Sequence, residues 1–385
     1  MINHKKLFIT LVLLISFLGT SCWDRRELDA LAIATAVGID KAEDPNKLQM
    51  TAEIILPQNV STPGGGGGKG PASFNLQSQG TTPFEAARRL TFESDKKIYF
   101  AHNPVLIFSE EMAKGGILPT FDFFIRDPEP RRTAWMLVAE GKAQDIINVP
   151  TILDPITGLY IEKLLDDAGA TSQIATLMVQ GFLERLMSPT TAPYCTLIRV
   201  KGEEKDKSIE LSGTAIFKKD KMVGKFDFKE GRGLLWVLGK VESGIITVPC
   251  EKEGNIGLEI VRADAKITPT IVDNSLKVII KINEEGNLGE QECPVDLTAP
   301  EAWKSLEKKQ AEAIRQEILA AVKKAQELNA DVFGFGEAFH RKYKALWKEQ
   351  LKDNWDEFFP DLEVEILVDA KLRKTGMTTK PAVPE

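Results

Sequence analysis

Histidine and cysteine are scarce in this sequence, three and four respectively among 385 residues. His4 falls in the N-terminal leader, His102 and His340 lie far apart, and Cys195, Cys250 and Cys293 show no CxxC or other close ligand spacing, so no metal site is expected. The motifs GxSxG, HExxH and SxxK are missing, and no cysteine has a nearby histidine to draw off its proton. No catalytic residue and no cofactor can be nominated, because the 56 acidic residues are too many for spacing alone to single out an acid/base pair. A basic excess is missing as well: the formal net charge is -7, and loss of Lys5 and Lys6 with a leader makes it more negative. Counterion release on nucleic acid needs clustered Lys and Arg, so no nucleic-acid partner is expected. Anionic lipid would repel such a surface, so membrane attachment needs something other than an overall basic face. The longest apolar run, residues 7–18, is well short of the roughly 20 residues that cross a bilayer as a helix.

What is present at the N-terminus has the order of an export signal. His4-Lys5-Lys6 supplies a positive start, residues 7–18 an apolar run broken only by Thr10 and Ser16, and Gly19-Thr20-Ser21 a small-residue exit. Cys22 follows at once, then a charged stretch, "WDRRE". A lipoprotein box directly precedes an acylated cysteine; Thr20 and Ser21 fit it, whereas Gly19 stands where leucine is usual and Leu18 comes one place early. The same three residues satisfy ordinary small-x-small cleavage. The residues alone therefore leave two products, a chain lipidated on Cys22 or a secreted free thiol. In the first case two acyl chains suffice for stable anchoring. If Cys22 is acylated, at most one intrachain disulfide can form among the other three cysteines, and partly buried thiols in strands are the expected state.

At 43% hydrophobic and 27% charged residues the chain is long enough for two or three globular domains. Residues 31–39 and 48–56 are apolar, β-compatible runs joined by a polar turn and predict a strand pair. "STPGGGGGKGPAS", residues 61–73, cannot hold regular structure cheaply and predicts a flexible loop. It is not a phosphate loop, since Pro63 takes the place of the first glycine of GxxxxGK[ST] and Gly70 follows Lys69. Thr82-Pro83-Phe84-Glu85 is a capping box that predicts a helix over 83–94. A strand over 98–108, two short helices ending near Arg126 and a strand over 133–139 follow, then a helix over 173–187 and a strand over 194–200. The charged cluster Arg126, Asp127, Glu129, Arg131 and Arg132 reads as a solvated, self-paired turn. "KGEEKDKS" reads as a hydrophilic junction between halves.

The second half predicts its own sheet, with hairpins over 209–217/222–228 and 256–271/276–282, the latter turning at Asp273-Asn274. A second capping box, Thr298 to Glu301, opens a long helix whose apolar residues from Trp303 to Leu328 recur every three or four positions. Phe335, Phe339, Tyr343 and Trp347 share a helical face, a spacing expected of core rather than of a stacking platform. Residues 362–372 alternate as a half-buried strand.

Four long stretches carry a family resemblance: "CWDRRELDALAIATAVGIDK", "AHNPVLIFSEEMAKGGILPTFDFFIRDPEPRRTAWMLVA", "LSGTAIFKKDKMVGKFDFKEGRGLLWVLGKV" and "NADVFGFGEAFHRKYKALWKEQLKDNWDEFFPDLEVEILVDAKLRKTG". The chain resembles the Ger(x)C family, the C subunits of spore germinant receptors in endospore-forming bacteria, from Cys22 to about Gly376. The resemblance implies a lipoprotein on the outer face of the spore inner membrane, with Cys22 as the lipidated residue. It implies integral-membrane A and B subunits as partners in nutrient-triggered germination, and it carries over no catalytic residue. Gly19 and the polyglycine stretch depart from the family pattern. The expected fold class is α+β and multi-domain, with mixed, largely antiparallel sheets and packed helices after the signal peptide. The expected division is 1–21 signal peptide, 22–200 N-terminal α+β domain with its loop at 61–73, 201–375 C-terminal α+β region of one or two lobes, and 376–385 tail. Two other readings stand beside a non-enzymatic receptor subunit. A direct germinant binder would show a cleft between lobes lined by aromatic and charged groups, and an envelope hydrolase would need two carboxylates converging in one cleft.

Overall fold

The computed structural model describes residues 30–60, 70–250, 253–297 and 299–375. The expected signal peptide, Cys22, most of the glycine-rich loop and the tail lie outside the described residues. Strands β1 (Leu31–Lys41), β2 (Leu48–Ile55) and β3 (Ser73–Gly80) form an antiparallel edge. Helix α1 (Pro83–Arg89) starts where expected, Thr82 Oγ1 accepting from Glu85 N, but a 3-10 turn over Leu90–Phe92 ends it early. The strand expected over 98–108 is two, β4 (Lys97–Tyr99) and β5 (Val105–Ser109), broken before Pro104, and both run parallel to β1. Helices α2 (Glu110–Gly115) and α3 (Leu118–Arg126) lead to β6 (Trp135–Ala139). Two helices with no counterpart in the sequence reading follow, α4 (Ala143–Ile147) and α5 (Thr157–Asp166), then α6 (Val179–Leu186), shorter than the expected 173–187.

Strands β7 (Tyr194–Lys201), β8 (Ser208–Lys218) and β9 (Lys221–Phe226) complete one nine-stranded sheet of order β3-β2-β1-β5-β6-β7-β8-β9, with β4 beside β1. This corrects the expectation that 209–226 opens the second half's sheet: the hydrophilic stretch after Val200 is the connection of the antiparallel β7/β8 pair. The centre of the sheet is parallel and buried on both faces. Leu106 and Phe108 of β5 join a core under α1, α2, α3 and α6, while Val105 and Ile107 join another under α4 and α5.

Residues 227–238, whose start was expected as strand, form helix α7 (Phe228–Leu238), with a capping box between Asp227 and Glu230 and Gly239 in the left-handed region behind it. The second sheet follows, four strands in the order β10 (Gly244–Pro249), β11 (Asn255–Val272), β12 (Ser275–Gln291) and β13 (Glu363–Lys374). Asp273 and Asn274 both take positive φ, 47° and 64°, the primed turn that suits a tight hairpin. Helix α8 (Pro300–Glu327) packs on this sheet with Leu306, Ile314, Ile318, Ala321 and Val322. Its N-cap position is Ala299, and the expected Thr298 box lies outside the described residues. Helix α9 (Phe335–Lys342) and the turns to Asp361 pack the aromatic stripe into the core, as expected. Cys250 and Cys293 form a disulfide, correcting the expectation of free thiols: β10 and β12 flank β11, so the ends of the outer two strands meet at the start of the middle one. Cys195 is a buried free thiol in β7, and burial pushes its pKa up.

Candidate functional site

Among the described residues no helix is long and apolar enough to cross a membrane, and no group of three or more His, Cys, Asp or Glu converges as a metal site. The carboxylates most displaced from ordinary behaviour sit in separate places. Burial raises Glu284 of β12 to about 8, with adjacent Glu285 adding to the rise. Those neighbours point apart: Glu284 Oε1 meets Gln310 of α8 at 3.0 Å in the core, whereas Glu285 pairs with Arg262 and Arg373 at the surface and is lowered by them. Asp331 is raised to about 6 by burial, against the pull of the N–H groups of Gly334, Phe335 and Gly336 and the Trp355 indole, all of which donate to it. It serves as the cap of α9. Among the described residues, Glu284 and Asp331 do not face each other across a cleft and so do not form the carboxyl pair of a glycosidase site.

The best-formed concavity lies where the first sheet is bolted to the second unit. Its cavity is ≈ 450 Å³, within the range of small-molecule sites. Ser188 Oγ accepts from the backbone N–H groups of Thr190 and Thr191, folding the loop before β7 into a hydroxyl-lined wall. Opposite stand Asn329, Asp331, Trp355 and Phe359, and the β8/β9 turn with Lys218 and Asp220 closes one end. The wall is held rigidly. Ala192 N donates to Asp331 O at 2.9 Å, and Arg185 reaches the carbonyls of Ala192 and Val332 while lying 4.5 Å over the Tyr194 ring. Lys218 pairs with Asp356 at 3.1 Å, and Asn329 Nδ2 donates to Asp356 O. Gly336 is required here, because a Cβ would stand 2.8 Å from the Trp355 ring and 3.0 Å from Thr190. Such a lining, hydroxyls and amide with paired charges beside one indole, can hydrogen-bond a polar molecule of amino-acid or sugar size. It offers no nucleophile and base in contact.

A second, wider groove of ≈ 760 Å³ runs between the β6 end and α7, lined by Trp135, Leu165, Ile174, Met178, Leu235 and Val241 among others. Ser172 closes its floor: at φ 49° its hydroxyl donates to Gly169 O and accepts from Glu242 N and Ser243 N. Neither concavity was named from sequence. Their walls come from segments far apart in the chain, such as 188–191 and 329–331 in the first and 165–181 and 235–242 in the second, and no local pattern joins them.

Two family descriptions together match most of this chain. "Spore germination protein N-terminal domain" matches residues 24–200, and "Spore germination B3/ GerAC like, C-terminal" matches residues 212–376. The chain is 30% identical to spore germination protein KC of Bacillus subtilis (strain 168), over 98% of both chains. It is 24% identical to spore germination protein B3 of the same organism, over 98% of this chain and 99% of that one. Among solved structures it is similar to the crystal structure of the GerBC protein, with a TM-score of 0.55, 20% identity, and coverage of 91% of this chain and 99% of the other. That likeness bears on fold, and it supports the α+β architecture with two sheets.

Proposed function

We propose a function from one premise: the chain belongs to the spore germination B3/GerAC-like family. It is a non-enzymatic C subunit of a nutrient germinant receptor, held through a lipid on Cys22 to the outer face of the spore inner membrane. It works there by assembling with, and signalling beside, the integral-membrane A and B subunits. The observation that carries this reading is the pair of family matches, which after Cys22 leave only residue 23, the stretch 201–211 and the tail after 376 unmatched. The hydrogen bonds that join the two sheets' units, Ala192 to Asp331 and Arg185 to Val332, support it, since a relay part needs its surfaces connected. Co-purification of the A and B subunits with this chain, with Cys22 intact and with Cys22→Ala, tests it. Retention of both subunits by the intact chain is expected, and loss of both from the intact chain and from Cys22→Ala alike overturns the assignment. Mass spectrometry of the mature N-terminus reads the lipid separately, because an unmodified Cys22 removes the anchor.

The ≈ 450 Å³ cleft favours a second reading, in which this subunit binds the germinant itself. Thermal unfolding of the chain with each nutrient that triggers the spores tests it, since a ligand at 100 times its Kd stabilises by about 2.7 kcal/mol. No shift with any such nutrient eliminates direct binding.

A further inference from the structure

Phe92 is 85% exposed, an unusual state for an aromatic side chain, and Phe84, two helical turns earlier along α1, is 49% exposed. Arg88 lies between them on the same face, its guanidinium 5.0 Å from the centre of the Phe84 ring. The place of this face in the fold gives it meaning. Helix α1 follows β3 directly and packs back along it, Ser78 Oγ donating to Ala86 O, so its C-terminal turn returns to the end of the sheet at which β1 begins. The short strand that follows the turn, β4, pairs in parallel with that first stretch of the chain, Lys97 beside Leu31 and Tyr99 beside Ile33. Phe92 therefore stands at the corner where the polypeptide arrives from Cys22. Eight residues separate Cys22 from Leu31. Even fully extended they span at most about 30 Å.

Charge changes sign at this corner. The protein as a whole is acidic, yet residues 84–99 and 126–132 together hold seven cations against five carboxylates. Lys97 of β4 pairs with Glu129, which brings the turn bearing exposed Arg131 and Arg132 alongside. Glu93 and Asp95 flank Phe92 and moderate the attraction to anionic headgroups, so the aromatic ring supplies the larger part of the contact. An exposed aromatic beside Arg and Lys is the composition of a segment that settles at the boundary of headgroups and acyl chains.

We propose that the tip of α1, Phe92 with Arg88 and Lys96, docks on the phospholipid surface of the membrane to which Cys22 is tethered. The tether limits distance, and the tip fixes orientation, presenting one side of the molecule to integral-membrane neighbours. This rests on the lipid-anchor reading given above, and the test separates the two. Cys195 is buried and Cys250 is bonded to Cys293, so of the four cysteines Cys22 is the one left for coupling. The mature chain coupled through that thiol to maleimide-lipid vesicles, of phosphatidylcholine with or without phosphatidylglycerol, is compared by amide hydrogen exchange with the same chain in solution. Exchange over residues 84–99 is expected to slow severalfold on vesicles while α8 is unchanged, and Phe92→Asp is expected to abolish the difference. Equal exchange on vesicles and in solution overturns the proposal, as does protection that arises only when other membrane proteins are present. An unmodified Cys22 in the native protein, together with protection on maleimide vesicles, refutes the natural anchor and leaves the docking surface standing.

Discussion

Glu284 shows what one side chain can impose on the whole. It is 1% exposed, its Oε1 receives the Gln310 amide, and both its Oε2 and Gln310 Oε1 lack a partner. A proton on Oε2 removes the buried charge, which is the state that burial favours. With the folded pKa about 8 and the ordinary value 4.5, the folded chain holds a proton that the unfolded chain releases between those limits. Stability from this group is then full below about pH 4.5, falls as pH rises toward 8, and is flat beyond. Glu284→Gln keeps the amide pair and removes the titration. The substituted chain is expected to match the original near pH 5 and to exceed it by about 3 kcal/mol near pH 9, read as a growing difference in Tm. Parallel Tm profiles across that range contradict it. The sequence reading misses Glu284 because the strand it draws stops at residue 282, whereas β12 continues to Gln291 and keeps the inward alternation through 284. The disulfide was equally hidden: 43 residues separate its cysteines, and strand order alone brings them together.

Elements were legible where their signals are local. Helix α1, the β11/β12 hairpin and β13 carry their own caps, turns and alternation. Helices α4 and α5 do not, because their caps come from about a hundred residues away. Asp40 of β1 accepts from the N–H groups of Ala143 and Gln144, and Glu53 of β2 accepts from those of Thr157 and Gly158. Helix α7 carries a local signal, Asp227 and Glu230 with Gly239 behind, but the sequence reading runs a strand through Phe228 and does not use it. Its packing gives a sharp test. Gly233 lies against α8 so closely that a Cβ would stand 2.2 Å from Glu317 O and 2.7 Å from Ala321 Cβ. The same contact seats Arg232 and the Trp236 indole on the buried Glu317 carboxylate. In an unconstrained helix Gly→Ala stabilises by up to about 1 kcal/mol. Here the helices must part and the buried ion pair loosens with them, so Gly233→Ala is expected to destabilise by about 2 kcal/mol or more. Urea unfolding reads the sign, and a gain in midpoint refutes the close-packed contact.

At the scale of the molecule, the fold class and the existence of two sheets follow from the alternation of helix and strand signals, but where one sheet ends does not. The family matches divide between residues 200 and 212, as the hydrophilic stretch there suggests. Hydrogen bonding disregards that division, since β8 and β9 lie beyond it and complete the first sheet. Phe217 of β8 stands edge-on to Phe182 of α6, ring centres 5.1 Å apart, and shares a core with Phe121 and Leu197. A chain cut after residue 200 therefore bares β7 along its length, with Tyr194, Cys195, Leu197 and Ile198 all buried in the intact protein. An open, apolar edge of that kind invites pairing with other chains. Fragments 24–200 and 24–227 separate the two ways of dividing the molecule. The longer fragment is expected to stay in solution and unfold cooperatively in urea, and the shorter to aggregate or to bind a hydrophobic dye without a cooperative transition. If both unfold at the same midpoint, the first unit ends at residue 200 and β8 and β9 only lean on it. If they differ as expected, the two halves share a sheet, and a force on one is felt directly along the strands of the other.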